Sequence, residues 1–394
     1  MTVKRLNVLL LDQGRQSLPF LKALNKAGHR VTIVCNTKIC EGFFSRYPVK
    51  RIIWPSYFKD RSGFEEKLFS YLKKFQPDIT IAVGDITAEI LSRNKKRIEQ
   101  YTSVTVPEYD IFEKVTDKLL LMQYCMRENI PCPLTYDLNE KSISSMGSKL
   151  TFPVIIKPRK GIGAIGVQKI ESHEELTESY KDLKDKYGEM LIQEYIPQEG
   201  GMQYQAEAFL DNESCMKACV VLKKPRFFPV TGGTSTANET IFEDEIVKTC
   251  RNLLEGLKWK GAADVDMILN PETGIIQVLE INPRVTAGIK IAFKAGVDFA
   301  ELHLKLAMEQ PIEYINNYKS GIYSRNLFMD ILWYLFSNQK MKRETSPSFY
   351  KFFGRNVTYQ TISVDDPLTG IGFFLNMSRK YLNIRNLMEK LGQN

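Results

Sequence analysis

Histidine is scarce in this chain. Three residues in 394, His29, His173 and His303, stand far apart and leave no histidine-rich zinc site to build. Long apolar runs are also missing: none approaches the roughly 18 residues of a membrane-crossing helix. The basic N-terminal stretch MTVKRLNVLLLDQG breaks at Asp12, too early for a secretory signal. The seven cysteines show neither a CxxC redox pair nor zinc-ribbon spacing, so reduced thiols in a cytoplasmic protein are expected. No G-x4-G-K-[S/T] occurs, which excludes the common P-loop, and DQGRQS carries one glycine where a dinucleotide fingerprint needs three.

What is present is an ordinary globular composition, 43% hydrophobic and 25% charged, in a chain long enough for two or three domains. The first hundred residues alternate strand and helix. LNVLLLD, HRVTIVCN and DITIAVGD read as buried strands, and QSLPFLKALNKAG and GFEEKLFSYLKKFQP as helices. That order implies a parallel, doubly wound sheet, with ligands bound beyond the carboxyl ends of its strands. From about Asp110 the texture changes to α+β. A helix is entered near Thr116 and stops before Pro131, and FPVIIKPRKGIGAIGVQKI reads as two strands around a glycine turn. An antiparallel hairpin is expected over 203–221, and GAADVDMILNPETGIIQVLEINPR should form another, turning at NPETG.

Three stretches carry chemistry. In KPRKGIGAIGV, Gly161, Gly163 and Gly166 leave backbone N–H groups open to an anion, with Lys157 on the preceding strand and Lys160 at the lip. In VLEINPR, Glu280 and Asn282 alternate along a strand and share a face; Asp266 stands opposite across the turn. Three oxygen ligands on adjacent strands suit magnesium, whereas an amphipathic strand with a wet face is the plain alternative. VTGGTSTANE, residues 230–239, is a stretch of small donors around Gly232 and Gly233: a loop closing over phosphates, or a polar surface loop.

In order, the lysine after a TD helix entry, IIKP before a glycine loop, QEYI, the TGG stretch and an acid followed by EINPR resemble the ATP-grasp superfamily, nearest its carbamoyl-phosphate-synthase-like and amino-acid ligase branch. The resemblance covers about 110–310. It implies a Rossmann-like domain over 1–110, an ATP-grasp domain over 111–310 with a small lid at about 119–193, and an extension over 311–394. It also implies roles. Lys118 and Lys157 would reach the ATP phosphates, with Lys160 and Gly161 to Gly166 folding over them, and Glu194, Tyr195 and Ile196 would line the adenine. Gln203 stands where an acid usually meets the ribose, and Thr231, Gly232 and Gly233 would close on phosphates or an acyl phosphate. Asp266, Glu280 and Asn282 would ligate magnesium or manganese, and Arg284 would meet the transferred phosphoryl group. The implied activity is carboxylate–amine ligation through an acyl phosphate. The alternatives are a carbamoyl-phosphate-synthase-like or carboxylase-type enzyme using bicarbonate, and a nucleotide-binding protein without turnover.

The final fifth, from Asn316, carries 11 Lys and Arg against 5 Asp and Glu together with many aromatics. It reads either as a packed extension with a solvated basic face or as a surface for an anionic partner such as a membrane face. Small-molecule carboxylate and amine substrates, no nucleic acid and a homodimer complete the expectations.

Overall fold

The computed structural model describes residues 4–139, 143, 150–161, 165–197, 203–230 and 233–381. Gly163, Thr231 and Gly232 lie outside them. The first five strands are β1 (Asn7–Leu11), β2 (Arg30–Cys35), β3 (Lys50–Ile53), β4 (Ile79–Ala82) and β5 (Ser103–Val104). They form a parallel sheet in the order β3-β2-β1-β4-β5. β1 and β4 are apolar along nearly their whole length because helices cover both faces. The order reverses at β1/β4, so the carboxyl ends of these two strands open a crevice.

A four-stranded sheet follows from β6 (Thr135–Leu138), β7 (Val154–Pro158), β8 (Gln168–Ile170) and β9 (Met190–Glu194), in the order β6-β9-β7-β8. It is backed by the helix His173–Tyr187, whose Leu176 and Tyr180 pack under Ile156 and Ile192. The helix expected from near Thr116 is Lys118–Arg127, and a separate helix, Tyr109–Thr116, precedes it. Asp117 breaks the run because it caps the second helix, accepting from Leu119 N and Leu120 N at 3.1 and 3.3 Å.

The largest sheet holds β10 (Gln203–Leu210), β11 (Met216–Phe228), β12 (Thr234–Ile241), β13 (Gly261–Leu269), β14 (Ile276–Asn282), β15 (Tyr323–Arg325) and β16 (Val357–Tyr359). Its order is β14-β13-β10-β11-β12-β15-β16, antiparallel except for β15 and β16. Two sequence expectations change here. The hairpin strand foreseen to end at Val221 continues to Phe228, and most of VTGGTSTANE is not a loop but strand β12, hydrogen-bonded between β11 and β15. Its Thr236, Asn238 and Thr240 are buried; β-branched threonine fits a pleated, two-sided strand better than a loop. The segment beyond 310 supplies two strands to this sheet.

Candidate active site

One end of the large sheet concentrates charge. Register places Asp266 opposite Glu280 and Asp264 opposite Asn282 on β13/β14, and Gln205 and Glu207 opposite Asp266 and Asp264 on β10/β13. Alternate residues share a face, so these six side chains form two polar rows across three strands. Burial raises the Asp264 carboxyl well above its usual range, and repulsion from Asp266 and Glu207 pushes the same way. Glu207 is likewise pushed up by burial, to about 7, against hydrogen bonds from Thr286.

Cations answer these acids. Lys224, buried on β11, donates to Asp266 and keeps its charge, since the carboxylates of Asp266 and Asp264 outweigh its burial. Lys118 Nζ lies 3.7 Å from Glu280 Oε2 and donates to the Gly161 carbonyl at 3.0 Å. Lys157, buried on β7, donates to Gln193 Oε1 at 2.8 Å; desolvation pulls its pKa down to about 8 despite the field of Glu280. Arg284 is held between Asn282 Oδ1, 3.4 Å from Nη2, and Asp85 Oδ1, 3.1 Å from Nε. A clamp from the small sheet positions the two lysines: Arg159 Nη2 binds Asp117 Oδ2 at 2.8 Å, and Lys118 N donates to Arg159 O at 2.9 Å.

Lys118, Lys157, Asp266, Glu280, Asn282 and Arg284 are thus drawn together. Others have separate partners. Lys160 is exposed and paired with Glu113 at 3.0 Å, Glu194 Oε2 accepts from Leu134 N at 3.1 Å, and Lys169 lies over the Tyr195 ring at 4.5 Å. Ile196 is buried, and Gln203 opens β10 opposite Lys224. Gly233 approaches Phe228 O so closely that a Cβ would lie 2.8 Å from it. Gly166 has φ +75, and a Cβ there would lie 2.8 Å from Pro158 Cγ and 3.0 Å from the Tyr187 ring. Gly166→Ala is therefore expected to lower stability by about 1–3 kcal/mol in denaturant melts.

Asp264, Glu207, Gln205 and Lys224 were not foreseen. The signal for Glu207 and Gln205 was the alternation of QYQAEAF, with the polar side on the Asp266 face. Among the described residues no three His, Cys, Asp or Glu side chains form a ready metal cluster. The donor set still fits a hard divalent cation. Asp264 Oδ1 is buried without a hydrogen-bond partner, and the set offers carboxylates and an amide to an ion that fills its shell with water and phosphate oxygens.

Two lysines, Lys118 at the start of the helix Lys118–Arg127 and Lys157 on β7, thus face the acid-rich β13/β14 hairpin of the large sheet, a combination of cations and oxygen donors of the kind that phosphoryl transfer calls on. Residues 115–288 match the ATP-grasp domain family, and this part of the chain is an ATP-grasp domain. The chain is 24% identical over 277 residues to D-aspartate ligase of Enterococcus faecium, covering 63% of this chain and 65% of that protein. Two solved structures share the fold. The L-amino acid ligase of Bacillus licheniformis has a TM-score of 0.60 at 16% identity, with 79% of this chain and 76% of that one covered. The biotin carboxylase domain of Hydrogenobacter thermophilus 2-oxoglutarate carboxylase, in complex with MgADP, ADP and bicarbonate, has a TM-score of 0.68 at 13% identity, covering 82% and 74%.

Proposed function

We propose that this protein is an ATP-dependent carboxylate–amine ligase. One observation carries the reading: Glu280 faces Asp266 across the β13/β14 hairpin beneath Lys118, and Arg284, two residues past Asn282, reaches the open end of the first sheet. A substrate carboxylate oxygen attacks the γ-phosphorus of ATP, the bond to the bridging oxygen breaks, and ADP leaves with its electron pair. An amine then adds to the acyl carbon, phosphate departs, and the amine proton is lost to solvent. Lys118 and Lys157 hold the phosphates, and Arg284 meets the charge on the acyl phosphate. Asp266, Glu280 and Asn282 would hold magnesium, or manganese in its place, which when bound neutralises the triphosphate. Glu194 to Ile196 and Gln203 are proposed to border the base and ribose, and Lys160, Gly161 to Gly166 and Thr231 to Gly233 to close on the phosphates.

The divisions 1–110, 111–310 and 311–394 are proposed as functional units, and the chain as a homodimer. The basic C-terminal fifth, where Phe353 and Val364 are exposed, is proposed to face an anionic partner. No described helix is long and apolar enough to cross a membrane.

ADP release with paired pools of acids and amines tests the reading: a matched pair should be required. Release with bicarbonate alone would instead support the carboxylase-type alternative, favoured by the bicarbonate in the Hydrogenobacter complex. Nucleotide binding without any turnover would support the non-catalytic one.

The lowered Lys157 pKa gives a second check. Near pH 8 the free amine is about half protonated, and a bound triphosphate restores its charge. Calorimetry at pH 8 in buffers of different ionisation enthalpy should show uptake of up to about half a proton with ATP. Lys157→Met should remove it. The stability sign is the reverse of a salt-bridged lysine. Between about pH 8 and its ordinary value of 10.5 the unfolded chain binds more protons, so burial of Lys157 costs most below pH 8 and is relieved as pH rises.

A further inference from the structure

The helix Leu327–Phe336 is turned inside out. Its one charged residue, Asp330, faces the core together with Met329 and Trp333, whereas Ile331, Leu335 and Phe336 are exposed and Phe328 and Leu332 half-buried. Positions 328, 331, 332, 335 and 336 share one side of a helix, so the side turned to solvent is apolar throughout. A surface helix of a globular protein ordinarily shows the reverse.

This apolar side does not stand alone. Tyr334, next to Leu335, stacks on Phe349 with 4.3 Å between ring centroids, its hydroxyl meets that of Tyr350 at 2.5 Å, and Lys342 Nζ lies 4.6 Å from its ring centroid. The helix, the short helix Gln339–Glu344 and the segment 348–353 therefore meet at Tyr334. Leu335 is 66% exposed, Tyr350 68% and Phe353 90%. Between 337 and 355, Lys340, Lys342, Arg343, Lys351 and Arg355 stand against Glu344 alone. Single exposed apolar side chains are common on protein surfaces; several gathered at one place mark an interaction site.

Charge and apolarity together select the occupant. A soluble polyanion would answer the cations and leave Leu335 and Phe353 in water. A second copy in a two-fold contact would set the patch against itself, five cations facing five with one acid on each side. The interface of an anionic bilayer answers both features: phosphate-bearing headgroups meet Lys and Arg, and aromatic and aliphatic side chains enter the acyl boundary just beneath. We infer that this face docks on an anionic lipid surface, with Leu335, Tyr350 and Phe353 inserted and the cations of 340–355 at the headgroups. The inference rests on the reading of the C-terminal fifth as a surface for an anionic partner, which it narrows to a bilayer, and it is independent of the ligase chemistry.

Flotation of the full chain with vesicles of equal parts phosphatidylcholine and phosphatidylglycerol, and with phosphatidylcholine alone, tests it; retention on heparin reports charge without lipid. The chain should float with the anionic vesicles only, and less as salt screens the headgroups. Lys340→Gln with Arg343→Gln should weaken partitioning about 25-fold, at roughly fivefold per cation. Leu335→Ser with Phe353→Ser should weaken flotation as strongly while heparin retention, melting temperature and ADP release stay as in the wild type. Flotation unchanged by the two serines would overturn the inference. Heparin retention without flotation would overturn the bilayer and keep the anionic-partner reading, and loss of both would overturn the two together. A dimer that the serines dissociate, without flotation, would assign the face to a second copy and overturn the lipid assignment.

Discussion

Glutamine at position 280 is expected to abolish ATP turnover and leave the protein folded. Glu280 is one-third exposed, and its ion-pair contact, Lys118, keeps a hydrogen bond to the Gly161 carbonyl. The fold therefore loses little, within about 1 kcal/mol for a pair of this exposure. The loss falls on the chemistry: the amide lacks the charge with which Glu280 is proposed to help hold a divalent ion. Removing a comparable electrostatic stabiliser costs about 10²–10³ in kcat, and losing the metal as well should take turnover to background. Lys157→Ala should behave alike, since its amine is buried and aimed at the same region. ADP release and thermal melting on the same samples decide the matter. Wild-type turnover in both variants would remove these residues from the site.

The largest effect on stability is expected at Asp330. Its carboxylate accepts from Arg226 Nε at 2.7 Å and Nη2 at 2.9 Å, from Arg325 Nε at 2.7 Å and from Thr236 Oγ1 at 2.8 Å. All three charged residues are fully buried, with Trp333, Tyr323 and Phe352 rings around the guanidinium groups. Asp330→Ala leaves two buried cations side by side without their carboxylate. Breaking such a cluster costs about 3–5 kcal/mol, enough to lower the melting temperature by roughly 4–6 °C in a chain this long. Replacing the triad together by Met, Met and Leu should recover most of the loss. A single Asp330→Ala variant that melts like the wild type would mean that the network contributes nothing.

The contrast between these sites shows what the sequence made legible. Asp266 and Glu280 are 14 residues apart around a turn with Pro and Gly, so local period and turn chemistry alone bring them opposite each other. Lys224 could not be read this way, because its strand was taken to end at Val221, and its contact with Asp266 depends on two further strand registers. Asp264 sits in GAADVDMIL, a strand covered on both faces, where alternation carries little information. Arg226 and Asp330 are 104 residues apart in sequence, and no periodicity links them. The strand-forming part of VTGGTSTANE was hidden by its glycines and by small polar residues that also mark loops.

The placement of β15 has a consequence for synthesis. β12 gains its outer partner only from residues 323–325, and these hold β16 through residues 357–359. A nascent chain that has completed β14 at Asn282 must lengthen by about 40 residues before that edge is sealed, a delay of several seconds at roughly 5–20 residues per second. Through that interval Thr234–Ile241 is an open edge strand, separated by β11 from the polar rows of β10, β13 and β14, and a template for pairing with another chain. Its threonines and asparagine make that open strand polar where a β-strand could have been apolar.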